Sequence, residues 1–127
     1  MAEPPASHGY IDFISGEEWF WYVRTLWAAA ADLPVRKVAL DDLPWHEDGC
    51  AVLGDPPTWG ALATHFRRAM DADLRCPIVL CPQGSIMDGM HRILRAHVEG
   101  IPTLPTVQLT EYPPPDRKTP RHPQGDS

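Results

Sequence analysis

No stretch of the chain approaches the ~20 consecutive apolar residues that a bilayer-spanning helix needs, and no basic segment followed by an apolar run opens it. The cytoplasm is therefore the expected compartment, with no membrane partner. Cysteine is scarce: Cys50, Cys76 and Cys81 are odd in number and form no CxxC pair, which argues against a disulfide framework or a zinc knuckle. They read as reduced thiols, and no metal site is expected. Positive charge is short as well. Eleven Lys and Arg against 17 Asp and Glu give a formal charge of −6, so no nucleic-acid partner is expected. The last 17 residues, EYPPPDRKTPRHPQGDS, contain no aliphatic side chain and five Pro, so 110–127 is expected to be a disordered Pro-rich tail. Residues 1–13 are read as a flexible N-terminus, and no internal repeat or heptad pattern is present.

What remains, 14–109, is enough for one domain with one core: 43% of the chain is hydrophobic and it has five Trp. Ser15 followed by Glu18 reads as a capping box, flanked by Ile14 and Trp19 as a hydrophobic staple, and predicts a helix over 16–31. Its apolar face would carry Trp19, Tyr22, Val23, Leu26, Trp27 and Ala30, as core or as a protein-docking surface. Val35–Leu40 alternates weakly, as a strand with one buried face does. Residues 44–57 form a Pro- and Gly-punctuated loop carrying His46, Glu47 and Asp48. Thr58 is the expected N-cap of a helix running to Asp71, with Trp59, Leu62, Phe66, Ala69 and Met70 as its apolar face and His65 and Arg68 on a neighbouring stripe. A continuous apolar strand at Ile78–Cys81 turns at Pro82-Gln83-Gly84 into Ser85–Met87. A helix over 89–99 buries Ile93, Leu94, Val98 and either Ala96 or His97, stops at Gly100, and leads to a strand at 104–109. These elements predict an α+β fold, a small mixed sheet packed by helices with an added N-terminal helix.

Chemistry concentrates at Asp88-Gly89-Met90-His91-Arg92, on a strand-to-helix junction. The first N–H groups of a helix have no intrahelical partner and carry partial positive charge, which makes a helix start an anion site. Gly89 removes the Cβ that would hold a ligand away, and His91 and Arg92 add donors on the first turn. Asp88 reads either as the N-cap or as a carboxylate that orients a hydroxyl or Mg²⁺. Arg92 reads as a phosphate donor or as the ion-pair partner of Asp88 or Glu99. His91 reads as a ligand contact or proton carrier, or as a helix-surface residue.

The run Pro77–Leu80, Gly84–Arg92 and Ala96–Pro102 with Val107 resembles the ParB/sulfiredoxin-like superfamily, and the likeness spans about 35–109. That resemblance implies a nucleotide phosphate held at 88–92, with Gly89, Met90, His91 and Arg92 as binding residues; apart from it, the helix stripe of His65 and Arg68 reads as a lining of the same pocket or as plain helix surface. It also implies ATP, ADP or CTP as cofactor, with Mg²⁺. Asp-Gly-x-His-Arg is more similar to the small-molecule kinase branch than to the partition proteins, implying phosphate transfer to a small hydroxyl-bearing metabolite with Asp88 and His91 as catalytic groups; such a transfer also needs a base, for which the loop offers Glu47, with Asp48 and His46 as alternatives. Met90 stands where sulfiredoxins have their reactive Cys, which argues against sulfinic acid repair. The rival expectation is a non-catalytic ligand-sensing or protein-interaction module that docks a partner through 16–31. Nuclease activity ranks lowest, for want of a metal-ligand cluster and a basic surface.

Overall fold

The computed structural model describes residues 9–46 and 56–120. Ser15 and Gly16 both adopt positive φ, 52° and 81°. That pair makes a two-residue hairpin turn whose twist matches the strands it joins. It links β1 (Gly9–Ile14) to β2 (Glu17–Tyr22), with Tyr10 opposite Trp21, Asp12 opposite Trp19 and Ile14 opposite Glu17. Only the last part of the segment expected as one helix is helical, α1 (Val23–Ala30). The run Trp19-Phe20-Trp21-Tyr22 has strong strand preference, and as a strand it sends Trp19 and Trp21 together to the inner face. Trp21 is fully buried and Trp19 and Trp27 pack against the same cluster, so the three Trp of 16–31 serve the core, whereas Phe20 and Tyr22 meet edge to face outside it, 4.9 Å between centroids.

A second correction concerns the two ends. Residues 9–13 lie within β1, and β7 (Arg117–Pro120) pairs antiparallel with β2, completing a sheet of order β1-β2-β7. What orders 112–120 is polar and aromatic, which a search for aliphatic residues overlooks. Trp21 Nε1 donates to the Pro113 carbonyl at 2.8 Å, and the Tyr112 ring stacks on Trp21 at 5.6 Å between centroids. Asp116 accepts from Tyr22 N at 2.8 Å and from Thr25 Oγ1 at 2.6 Å. Tyr22, the N-cap of α1, offers no cap of its own, so a carboxylate 94 residues away does that work.

The central sheet follows the expected plan. β3 (Arg36–Ala39), β6 (Thr103–Gln108), β4 (Ile78–Leu80) and β5 (Ile86–Asp88) lie side by side in that order, antiparallel except for the parallel pair β4 and β6. Both faces of this sheet are covered. Val79, Cys81 and Val107 pack with Trp21, Leu26 and Met87, whereas Ile78, Leu80 and Leu104 pack with Leu43, Ile93 and Ala96 of the opposite layer. Alternation along one short strand therefore feeds two cores.

α3 (Met90–Glu99) makes the second layer, and α2 (Trp59–Met70), capped by Thr58 Oγ1 accepting from Ala61 N at 3.1 Å, lies against it. Here the expected packing holds only in part. Ala69 of α2 is buried, but Trp59, Leu62 and Phe66 are 85%, 42% and 53% exposed, and on α3 Leu94 and Val98 are exposed while Ile93 and Ala96 are buried. The elements together make a small α+β fold, and among the described residues no helix is long and apolar enough to cross a membrane.

Candidate functional site

The junction of β5 with α3 is built around Gly89. Its φ of 125° is closed to most side chains, and a Cβ there would collide with the Ile78 side chain on neighbouring β4. Glycine at this point lets the helix start against the sheet. Gly89 is also the N-cap, so no side chain caps α3, and the first turn presents its amides with no residue of its own covering them. Met90, the first helical residue, is anchored downward against the Ile78 and Ile93 cluster.

Asp88 and Arg92 turn inward, toward each other. The Arg92 guanidinium, 7% exposed, bonds through Nη2 to Asp88 Oδ2 and through Nη1 to the Pro77 carbonyl. Trp27 Nε1 of α1 adds a third donation, to the same Asp88 oxygen at 2.7 Å, and the Arg92 guanidinium carbon lies 6.0 Å from the Trp27 ring centre. A charge-assisted network of this kind ties the start of α3 to β5, to α1 and to Pro77 just ahead of β4. Of the two readings of Arg92 left open by the sequence, the geometry has the ion pair with Asp88; Glu99 is taken by Arg95. Asp88 is neither the N-cap of α3 nor turned outward.

His91, one residue further along α3, points to α2. Its Nε2 is 2.9 Å from Nδ1 of His65, and the two rings lie parallel, 1° apart in plane, with centroids 5.2 Å apart. One ring donates in that contact and the other accepts. His91 thus stands on the first turn of α3 and is tied across to His65 of α2. Arg68, one helical turn from His65, is exposed on α2. The structure thereby brings His65, Gly89, Met90 and His91 together, gives Asp88 and Arg92 to the scaffold, and leaves Arg68 at the margin. Glu47 falls outside the described residues. Among the described residues no three His, Cys, Asp or Glu side chains converge as a metal-binding set.

Two features escaped sequence reasoning. Trp27 and Asp88 are 61 residues apart, and nothing in either segment signals that they meet. The second is a polar cluster at the Pro82-Gln83-Gly84 turn between β4 and β5. Cys81 Sγ accepts from Ser85 N at 3.3 Å, and Tyr112 Oη donates to Gln83 Oε1 at 2.8 Å, with Asp12 Oδ2 at 3.4 Å. Burial alone would raise the Cys81 thiol pKa, but hydrogen bonds from Tyr112 and from the Ser85 and Gln83 backbone outweigh it and lower it. Tyr112 is pushed well above its ordinary value, first by burial and then by Cys81. Compared with known proteins, the chain matches no family model, no curated protein and no solved structure.

Proposed function

We propose that this protein binds a small phosphorylated ligand of the nucleotide class, in the cytoplasm, at the start of α3, with His91 and His65 as its side-chain contacts. The observation that carries the reading is a hydrogen-bonded imidazole pair in which His91, on the first turn of a helix whose N-cap is a glycine, meets His65 of α2. Backbone amides at a helix start and imidazole N–H groups are complementary to phosphate oxygens, and Gly89 leaves no side chain between them. The resemblance of 77–107 to the ParB/sulfiredoxin-like superfamily points the same way. Arg68 stands within one turn of His65 as an additional cation. Binding without turnover is favoured over phosphate transfer, because Asp88, the carboxylate expected to orient a hydroxyl or Mg²⁺, is engaged by Arg92 and Trp27.

Thermal melting against ATP, ADP, CTP, pyrophosphate and phosphate, each with and without Mg²⁺, tests this directly. A ligand at ~100 times its Kd stabilises by about 2.7 kcal/mol. One of these ligands is expected to raise the midpoint, and His65→Ala and His91→Ala are expected to weaken its binding at least about tenfold, the loss of roughly one charge-assisted hydrogen bond. Failure of all five, or undiminished binding by both variants, defeats the proposal. Mg²⁺-dependent hydrolysis or transfer would restore the kinase reading.

A further inference from the structure

Of the six large apolar side chains exposed among the described residues, five belong to α2 and α3, and the most exposed of all is Trp59 at 85%. On α2 they follow a seam. Trp59, Leu62 and Phe66 stand at i, i+3 and i+7, and with Ala63, Arg67 and Met70 they line one concave surface. Spacing of that kind is what helices use to pair with other helices. At the stated exposures Trp59 and Phe66 alone leave roughly 200–350 Å² uncovered, taking about 150–250 Å² per aromatic side chain. Leu62, 42% exposed on the same face, brings the patch toward the size that usually marks an interaction site on a monomer, about 300–600 Å².

We infer that this face binds a second copy of the same chain, α2 against α2, antiparallel about a two-fold axis at Ala63. Size and charge along the helix argue for this occupant. Ala63 is the small residue at the middle of the concave surface, where two backbones related by a two-fold must approach most closely. An antiparallel match about it sets Phe66 of one copy over Gly60 of the other, so that bulk on one side meets its absence on the other. The same match sets Arg67 of each copy against Trp59 of the second copy, a guanidinium on an indole face. That pairing meets the charge without a carboxylate, and α2 has none between 59 and 70. It also keeps Arg67 and Arg68 of the two copies at opposite ends of the seam. The area is below the ~800 Å² per partner of a standard interface, so the dimer forms in the micromolar range rather than the nanomolar.

Sedimentation equilibrium of the full chain, from about 1 to about 200 µM, reads this out. The wild type is expected to pass from monomer to dimer within that range. Trp59→Glu and Ala63→Arg are each expected to raise the dimer Kd at least about tenfold, and melting curves like the wild type's, as befits exposed positions, would show that both fold. Ala63→Cys in a Cys50→Ser background is expected to form an intermolecular disulfide on mild oxidation, since Cys76 and Cys81 are buried and position 63 faces itself across the axis. A wild type that stays monomeric at about 200 µM overturns the inference. So does a dimer that Trp59→Glu and Ala63→Arg leave intact, or one in which position 63 does not cross-link.

Discussion

Replacing Arg92 by Met should cost about 3 kcal/mol of folding stability, and the structure says where that loss comes from. The Arg92 and Asp88 side chains are 8% and 16% exposed, so the pair is largely out of water. Removing one member of such a pair typically costs about 3–5 kcal/mol, because the other charge stays buried without compensation. Asp88 keeps the Trp27 donor, which places the loss toward the lower end of that range. For a domain of this size each kcal/mol moves the melting midpoint by roughly 4 °C, so the variant should melt about 12 °C below wild type. Adding Asp88→Asn to Arg92→Met should then recover at least about 1 kcal/mol, since the amide is uncharged and still offers an oxygen to Trp27. Urea unfolding of the wild type, both single variants and the double variant completes the cycle. An Arg92→Met protein within about 1 kcal/mol of wild type would refute the buried-pair account. A double variant less stable than Arg92→Met alone would do the same.

The remaining expectations are simpler to check. Tyr112 has its pKa raised by burial and by Cys81, so below the ordinary tyrosine value of about 10 its contribution to stability is complete, and it is lost as pH rises further. Stability should therefore fall above about pH 10 more steeply in wild type than in Tyr112→Phe, and absorbance titration should show one tyrosine resisting ionisation in wild type only. If both proteins lose stability in parallel with pH, Tyr112 is not the responsible group. Truncation after Thr110 removes β7, the Trp21 partner at Pro113 and the Asp116 cap of α1, each hydrogen bond to a charged or buried group being worth about 1–3 kcal/mol. The shortened chain should melt well below the full one, and an unchanged melting curve would make the C-terminal strand irrelevant to the fold.

How much of this could be read from the sequence differs from element to element, for physical reasons. The central sheet, the Thr58 cap and the α3 helix were legible because their signals are local: a continuous apolar strand, an N-cap three residues from its amide, a glycine at each end of a helix. The N-terminal hairpin was not. Ser15 and Glu18 satisfy the spacing of a capping box, yet Ser15-Gly16 at positive φ makes a turn, and four aromatic residues in a row prefer a strand when another strand pairs with them. Tertiary pairing outweighed a local signal worth about 1 kcal/mol. The tail was misread because its order rests on Trp21, Tyr112 and Asp116, contacts spanning 90 residues or more that composition does not report. At the candidate site the motif itself was found, but two of its five residues, Asp88 and Arg92, spend their charge on each other, which only the packing of Trp27 and Pro77 reveals.

The strand formed by Arg117–Pro120 closes an edge of β2, while Asp116 completes the first turn of α1, far earlier in the chain. During synthesis β2 and α1 are made about ninety residues before these partners emerge. Contacts of such long sequence separation form late and slowly. The protein cannot lock its N-terminal layer as it leaves the ribosome. Residues 112–120 act as a latch, so a nascent chain halted before residue 112 lacks the Trp21 partner at Pro113 and leaves an edge of β2 unpaired.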